Sequence, residues 1–294
     1  MNTKTAESNS IKAWGLLILL ALIWGTSFIF VKKCVVIFSG TQVGAFRIMM
    51  AGLVFVPWML KNRANYPKAK TKFLIASGLL GYLLPAFLFA IAGSKINSSL
   101  AGTLNATTPL FVLLVGAVFF QQKIKSKQFI GLMMGFIGSL MLILIGKEGD
   151  LSLDNPYVLL VVLATIMYGF NVNIVGKYLK DVDSVALSAW TLLGVSLTAA
   201  IVLFSTDFIA KLSLPGAGIL VFYMFILGAV NSGVAAIIFN YILKITSPVF
   251  ASSVTYLIPI VATIMGSIDS EQIFIWHYLG MVVILVGVYI INKK

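Results

Sequence analysis

Arg47 sits inside a long apolar run, and Asn105, Asn171, Asn173, Asn231 and Asn240 sit inside others. A guanidinium in hydrocarbon costs roughly 2.5–3.5 kcal/mol on insertion scales, so it is retained where it meets a partner or a wet cavity. Two readings of Arg47 follow. It faces an internal cavity and pairs with an anionic group such as a substrate carboxylate, or, lying about six residues and about 9 Å from the start of its run, it snorkels to the interface. The amides carry donors and acceptors that lipid leaves unsatisfied, so they are expected to point inward, bridging helices or lining a cavity. Asn105 and Thr255 each stand four residues before a proline, Pro109 and Pro259. A proline frees a carbonyl in the preceding turn for a neighbour or a ligand, so these two and Pro85 are candidate helix breaks. Together with Ser27, Trp24, Phe28, Tyr82, Tyr168 and Tyr256, the polar residues make apolar walls carrying a few polar groups, the composition of a small-molecule site. Aromatic packing between helices competes with that reading.

Catalytic chemistry finds no such constellation. The single histidine, His277, stands beside Trp276 at the edge of an apolar run, and the single cysteine, Cys34, has no partner for a disulfide or a metal pair. No phosphate-binding glycine loop occurs, so neither a metal nor a cofactor is expected, and transport would run on gradients. Every Asp and Glu lies outside the middle of the apolar runs, which leaves out the usual carboxylate proton relay.

Positioning these residues falls to membrane helices. The chain is 60% hydrophobic and 10% charged, with a mean hydropathy of +1.04, which places most of it in lipid. A helix needs about 20 mainly apolar residues to cross the bilayer. Ten segments qualify, at roughly 13–31, 41–60, 73–93, 98–120, 129–146, 156–176, 184–205, 218–241, 248–268 and 274–291. They lack the period-two alternation of a membrane barrel. Basic residues are retained on the cytoplasmic side. With the N-terminus inside, only Lys32, Lys33, Lys95, Lys147 and Lys211 fall on the outer loops, while Lys61, Arg63, Lys68, Lys70, Lys72, Lys123, Lys125, Lys127, Lys177, Lys180, Lys244 and the terminal lysines lie inside. Both termini are therefore expected in the cytoplasm. The net charge of +12 is accounted for by this topology and by anionic lipid headgroups, and no nucleic-acid partner is expected.

The chain also superposes on itself, with a shift of 144 residues early in each half and 149 to 150 later. Trp24-Gly25-Thr26-Ser27 falls on Tyr168-Gly169-Phe170-Asn171, Gly78 on Gly228, Pro109 on Pro259, and Gly131 and Gly138 on Gly280 and Gly287. Five spans per half invert the second half relative to the first. The expectation is an all-α polytopic membrane protein of ten transmembrane helices, built as a five-plus-five inverted repeat. Residues 1–146 form the first repeat, 147–155 the linker and 156–294 the second. Gly131 and Gly135 make a GxxxG with Gly138 beyond, matched by Gly280 and Gly287, so helices five and ten are expected either to brace each half or to meet in a homodimer.

Trp24-Gly25-Thr26-Ser27-Phe28 ending in Lys32, Ala45-Phe46-Arg47, Pro109-Leu110-Phe111, the Gln122 to Gly131 spacing, and Pro259, Glu271 and Gly280 in the second half resemble the EamA-type drug/metabolite transporters over nearly the whole chain. The resemblance implies a bacterial inner-membrane carrier, an exporter of amino acids or related metabolites, with its cavity between helices one to four and six to nine. This chain departs from the family where an acidic residue after helix four is replaced by Gln122, leaving Glu271 as the counterpart in the second half. The expected function is alternating-access export of a small metabolite. A nucleotide-sugar or other organic anion carrier is the alternative, followed by a non-transporting scaffold or an enzyme on lipid-linked substrates. The expected partners are a small-molecule substrate and the lipid bilayer.

Overall fold

A computed structural model describes residues 3–93, 95–96, 98–144, 156–268 and 274–292. The linker 147–155 and Glu271 lie outside the described residues. All regular structure among the described residues is helical. In chain order the helices are α1 (Thr3–Cys34), α2 (Gly40–Leu53), α3 (Val56–Asn62), α4 (Thr71–Gly78), α5 (Leu84–Gly93), α6 (Ser98–Asn105), α7 (Thr108–Phe120) and α8 (Ser126–Leu144), then α9 (Val158–Tyr178), α10 (Ser184–Phe204), α11 (Phe208–Lys211), α12 (Ala217–Gly228), α13 (Ala235–Ile245), α14 (Pro248–Ser252), α15 (Val254–Ile268) and α16 (Ile275–Asn292).

Six continuous helical stretches are long and apolar enough to cross a membrane: Ile11–Val31, Gly40–Asn65, Lys68–Ala92, Val158–Tyr178, Ser184–Phe204 and Ala217–Ile245. Four of the expected spans instead contain shorter apolar helices, Thr108–Phe120, Ser126–Leu142, Pro248–Val261 and Ile275–Ile291. Two of these have a local cause. The expected span 98–120 is interrupted at Ala106–Thr107, just before Pro109 at the start of α7, and the expected span 248–268 is interrupted at Ser253 between α14 and α15. Pro259 lies inside α15 without ending it. Pro85 opens α5 directly after an irregular turn.

That irregular turn recurs. Leu79–Leu83 joins α4 to α5 as a π-turn, and Ala229–Val234 joins α12 to α13 as another, 150 residues on. In each, one extra residue widens the helix and releases backbone groups from the regular ladder, a feature concentrated at functional sites.

Helix packing pairs positions that the internal repeat matches. A Cβ on Gly25 would strike Val261, and one on Gly169 would strike the backbone of Phe111. A Cβ on Gly78 would meet the carbonyl of Thr191, and one on Gly228 the carbonyl of Arg47. Gly52 lies against Ser196, its own repeat mate, where α2 crosses α10. Small residues allow helices to approach to backbone contact, where dispersion and Cα–H contacts replace the hydrophobic drive that lipid removes. The N-caps agree: Ser39 and Asp183, also mates, begin α2 and α10 by accepting from backbone N–H groups.

The closest crossing is α8 on α16. A Cβ on Gly131 would lie 2.6 Å from the Gly287 carbonyl, and one on Gly138 would lie 2.7 Å from that of Gly280. These matched glycines of helices five and ten thus meet one another within the chain. Replacing Gly287 by Val puts atoms onto the Gly131 carbonyl and the Gly135 amide, backbone groups that cannot turn aside. The expected cost is about 1–3 kcal/mol or more from overpacking. Thermal unfolding in detergent checks this, with Gly194→Ala as the control, because a Cβ there meets nothing within 4 Å and is expected to leave the melting point level or raise it.

Candidate functional site

Arg47 does not snorkel. From α2 its Nε donates to Ser232 Oγ at 2.6 Å and its Nη2 to the Asn231 carbonyl at 3.2 Å, so the guanidinium reaches across to the second π-turn. The Asn231 carbonyl that takes this bond lies within the π-turn, where the hydrogen-bond ladder departs from the regular helical register. That carbonyl also accepts the Trp24 indole N–H at 3.0 Å, and the Asn231 amide donates to the Ile23 carbonyl. Three helical rods, α1, α2 and α12–α13, are thereby joined at one backbone group. Among the described residues no carboxylate partners Arg47, and the two bonds use two of its five N–H donors.

A second set of polar residues extends from this point. Tyr168 lies within electrostatic range of both Arg47 and Tyr82. Tyr82, in the first π-turn, packs with Ala189, Leu192 and Ala236 near Asn240, whose Nδ2 donates to Ser188 Oγ at 2.9 Å. Aromatic rings flank the group: Trp24 packs on Phe239 with centroids 5.8 Å apart, and Tyr168 stacks on Phe89 at 6.2 Å. Trp24, Arg47, Tyr82, Tyr168, Asn231 and Asn240 are therefore gathered into one polar layer with aromatic sides.

Other sequence candidates have different surroundings. Asn171 accepts from Ser77 Oγ at 2.6 Å and fills the space above Gly81, linking α9 to the first π-turn. The equivalent pair in the other half is Ser27 and Asn231, so the bulky amide has changed sides: large on small in one seam, small on large in the other. Ser27 Oγ donates to its own helix, to the Trp24 carbonyl at 2.6 Å, and Thr255 Oγ1 does the same to Ser252 at 3.0 Å. Asn105 ends α6 half-buried, its carbonyl taken by Thr108 Oγ1. Tyr256 is fully buried against Gly135, its hydroxyl unbonded, and belongs to the core between α15 and α8. The Phe28 side chain lies outside the described residues. Asn173 is structural: Nδ2 donates to the Val112 and Gly169 carbonyls, and Oδ1 accepts from Gln122. Gln122, the position where the family carries an acid, thus holds α9 against α7. His277 Nδ1 accepts the Phe274 N–H at 3.0 Å and caps α16.

Sequence reasoning missed Ser232, Ser188 and Ser77. Ser232 carried a signal, since Asn231-Ser232 stands between Gly228 and Gly233 in an apolar run. Gln42 was missed too. Buried at the start of α2, it donates to Thr206 and to Asp207 and accepts from Lys211. Its repeat mate is Ala186, and there, at the opposite end of the molecule, a recess of about 630 Å³ opens between Trp58, Asn62, Pro67, Lys70, Asp181 and Ala186. Beside that recess Lys70 pairs with Asp181 at 3.2 Å and donates to the Tyr178 carbonyl, while Phe73 stacks on Tyr178 with centroids 4.2 Å apart.

An all-helical membrane protein with an arginine held in an aromatic-sided polar layer has the make-up of a carrier, and comparison with known proteins agrees on the class. The EamA-like transporter family matches residues 12–144 and again residues 155–293, and the chain belongs to that family. It is similar to the uncharacterized inner membrane transporter YedA of Escherichia coli K12, 25% identical over 95% of this chain and 91% of that one. An uncharacterized transporter of Archaeoglobus fulgidus is 24% identical over 96% and 99%. A solved crystal structure of a protein superposes with a TM-score of 0.77 at 16% identity, covering 95% of this chain and 96% of its own, which supports the fold. The chain is thus a multi-pass membrane protein of a transporter family.

Two outcomes are expected. Asn173→Leu strands Gln122 and two carbonyls in the interior and is expected to lower stability by about 1–3 kcal/mol, read by thermal unfolding; an unchanged melting point would remove its bracing role. The Lys70 hydrogen bond holds the Asp181 carboxyl below the usual carboxylate range. The pair's contribution is therefore present above the ordinary carboxylate pKa and lost as pH falls through the lowered one. Both groups are partly or largely exposed, so Asp181→Asn is expected to change neutral-pH stability by less than about 1 kcal/mol, and the difference from the parent is expected to vanish in strong acid.

Proposed function

We propose that this chain is an inner-membrane carrier that exports a small metabolite bearing a carboxylate, such as an amino acid or a related compound. Its ten helices act as a five-plus-five inverted repeat by alternating access, with both termini in the cytoplasm. The observation that carries this reading is the state of Arg47: a cation deep in an apolar helix, bonded to neutral groups alone, with N–H donors left for a ligand. A carboxylate bound there gains charge-assisted and, with the planar fork, bidentate hydrogen bonds. Tyr82, Tyr168 and Asn240 would meet the polar end of the ligand, and Trp24, Phe89 and Phe239 its apolar body. One arginine suits one carboxylate better than the phosphates of a nucleotide sugar.

The matched glycine contacts support the inverted repeat. Each half places its π-turn against the other half through the same small residue, Gly78 on α10 and Gly228 on α2. Several helix pairs approach at repeat mates, as a rocking motion about an in-plane axis would require. The recess at the Lys70 end would then be the cytoplasmic vestibule, and Gln42 the plug of the opposite mouth.

No Asp or Glu lies in any of the long or short apolar helices, so the carrier is expected to work without a buried proton-binding carboxylate. Efflux of radiolabelled amino acids from proteoliposomes is expected to continue after the proton gradient is collapsed, and to fall at least about tenfold in Arg47→Ala, the loss of one charge-assisted pair. Strict dependence on the gradient would overturn transport without proton coupling. Full efflux in the variant would remove Arg47 from the site.

A further inference from the structure

The tie between Arg47 and the second π-turn exists in one half only. Thr191, the mate of Arg47, bonds back to its own helix at the Leu187 and Ser188 carbonyls. Gly81 and Tyr82, the mates of Asn231 and Ser232, receive nothing from it. The two crossings are alike in backbone packing, Gly78 on the Thr191 carbonyl and Gly228 on the Arg47 carbonyl, and differ in the charge tie. A cation satisfied by a hydroxyl and a carbonyl holds its helix in place, yet these are the weaker partners a guanidinium can have, because a carboxylate supplies charge on both oxygens.

Resting on the carrier reading above, we propose that Ser232 and the Asn231 carbonyl occupy the place of the ligand's carboxylate, and that an anionic ligand takes Arg47 from them and so frees α12–α13 from α2. Ser232 is in this sense a positioning residue for transport. A ligand shifts a conformational equilibrium only by its differential affinity for the two states. Here the differential has a named source: in the tied state two of the five guanidinium N–H donors are engaged, and in the released state all five can turn to the ligand. Nothing else on the π-turn depends on Arg47. The Ser232 hydroxyl proton goes to the Leu227 carbonyl at 3.1 Å, and Asn231 keeps its two links to α1 through Trp24 and Ile23. Release from α2 therefore leaves the turn attached to α1, and the motion is confined to the α2–α12 face.

The chain carries its own reporter of that face. Its only cysteine, Cys34, is fully buried in an apolar cluster that includes Phe46 and Met49 of α2 and Met224 and Leu227 of α12, with Sγ 3.5 Å from the Leu220 carbonyl. Parting α2 from α12 uncovers it.

Alkylation of Cys34 by N-ethylmaleimide, followed by intact mass on the purified full chain, tests the proposal without knowledge of the natural substrate. Cutting the tie by Ser232→Ala is expected to raise the ligand-free rate about tenfold, the worth of one hydrogen bond to a charged group. Ser232→Thr keeps the hydroxyl and is expected to restore the parent rate. Acetate, a small carboxylate isosteric with acetamide, is expected to raise the rate in the parent protein over acetamide at equal ionic strength, and to add little in Ser232→Ala. A Ser232→Ala rate equal to the parent's, or a rise that Ser232→Thr does not reverse, overturns the tie. Acetate without effect on the parent overturns the exchange of partners, while the carrier reading stands or falls separately on the efflux of Arg47→Ala.

Discussion

A guanidinium without a carboxylate, held in an apolar interior, is the constraint on which the central part of this molecule turns. Arg47 must be solvated by something, and in hydrocarbon only backbone carbonyls freed from a helix and neutral side chains are at hand. The π-turn at Ala229–Val234 supplies both. The irregularity of α12–α13 and the charge on α2 thus answer one another across 184 and 185 residues of sequence.

Around that point the frame combines clusters of large buried side chains with close backbone approach at glycines. Gly25, Gly78, Gly169 and Gly228 each bring a helix of one half onto a helix of the other, and Gly131, Gly138, Gly280 and Gly287 lock α8 to α16. Such contacts are stiff against compression, because backbone groups cannot turn aside as side chains can. Polar bridges fasten the same helices: Arg47 at the centre, Gln42 with Asp207 and Lys211 at one end, and Lys70 with Asp181 at the other. The end clamps differ in kind, a buried amide against an exposed ion pair, which makes the molecule less symmetric in its fastenings than in its frame.

The exchange of asparagine between the two seams follows the same logic. Where α9 meets the first π-turn, the amide is Asn171 and the turn carries Gly81; where α1 meets the second, the amide is Asn231 and the first-half helix carries Ser27. One seam has room for one amide. The duplicated halves have kept the volume and changed which side supplies it, and the half that placed its amide on the turn is the one that also receives the arginine.

Much of this is local and could be read from the chain. Apolar length, basic loops, the repeat of glycines and the presence of Arg47 in a span depend on each residue's own transfer energy or on short-range backbone geometry, and the all-helical membrane fold and the transporter family follow. The partner of Arg47 is not local. Ser232 and Asn231 are ordinary polar residues until the turn bearing them is widened and set opposite α2, and Tyr256 and Asn105 look as site-like in sequence as Tyr82 and Asn240. Tertiary packing decided which of them face the arginine, because a side chain's neighbours across a helix crossing are fixed by rotation and tilt, quantities that the apolar periodicity of nearly uniform hydrophobic helices leaves undetermined.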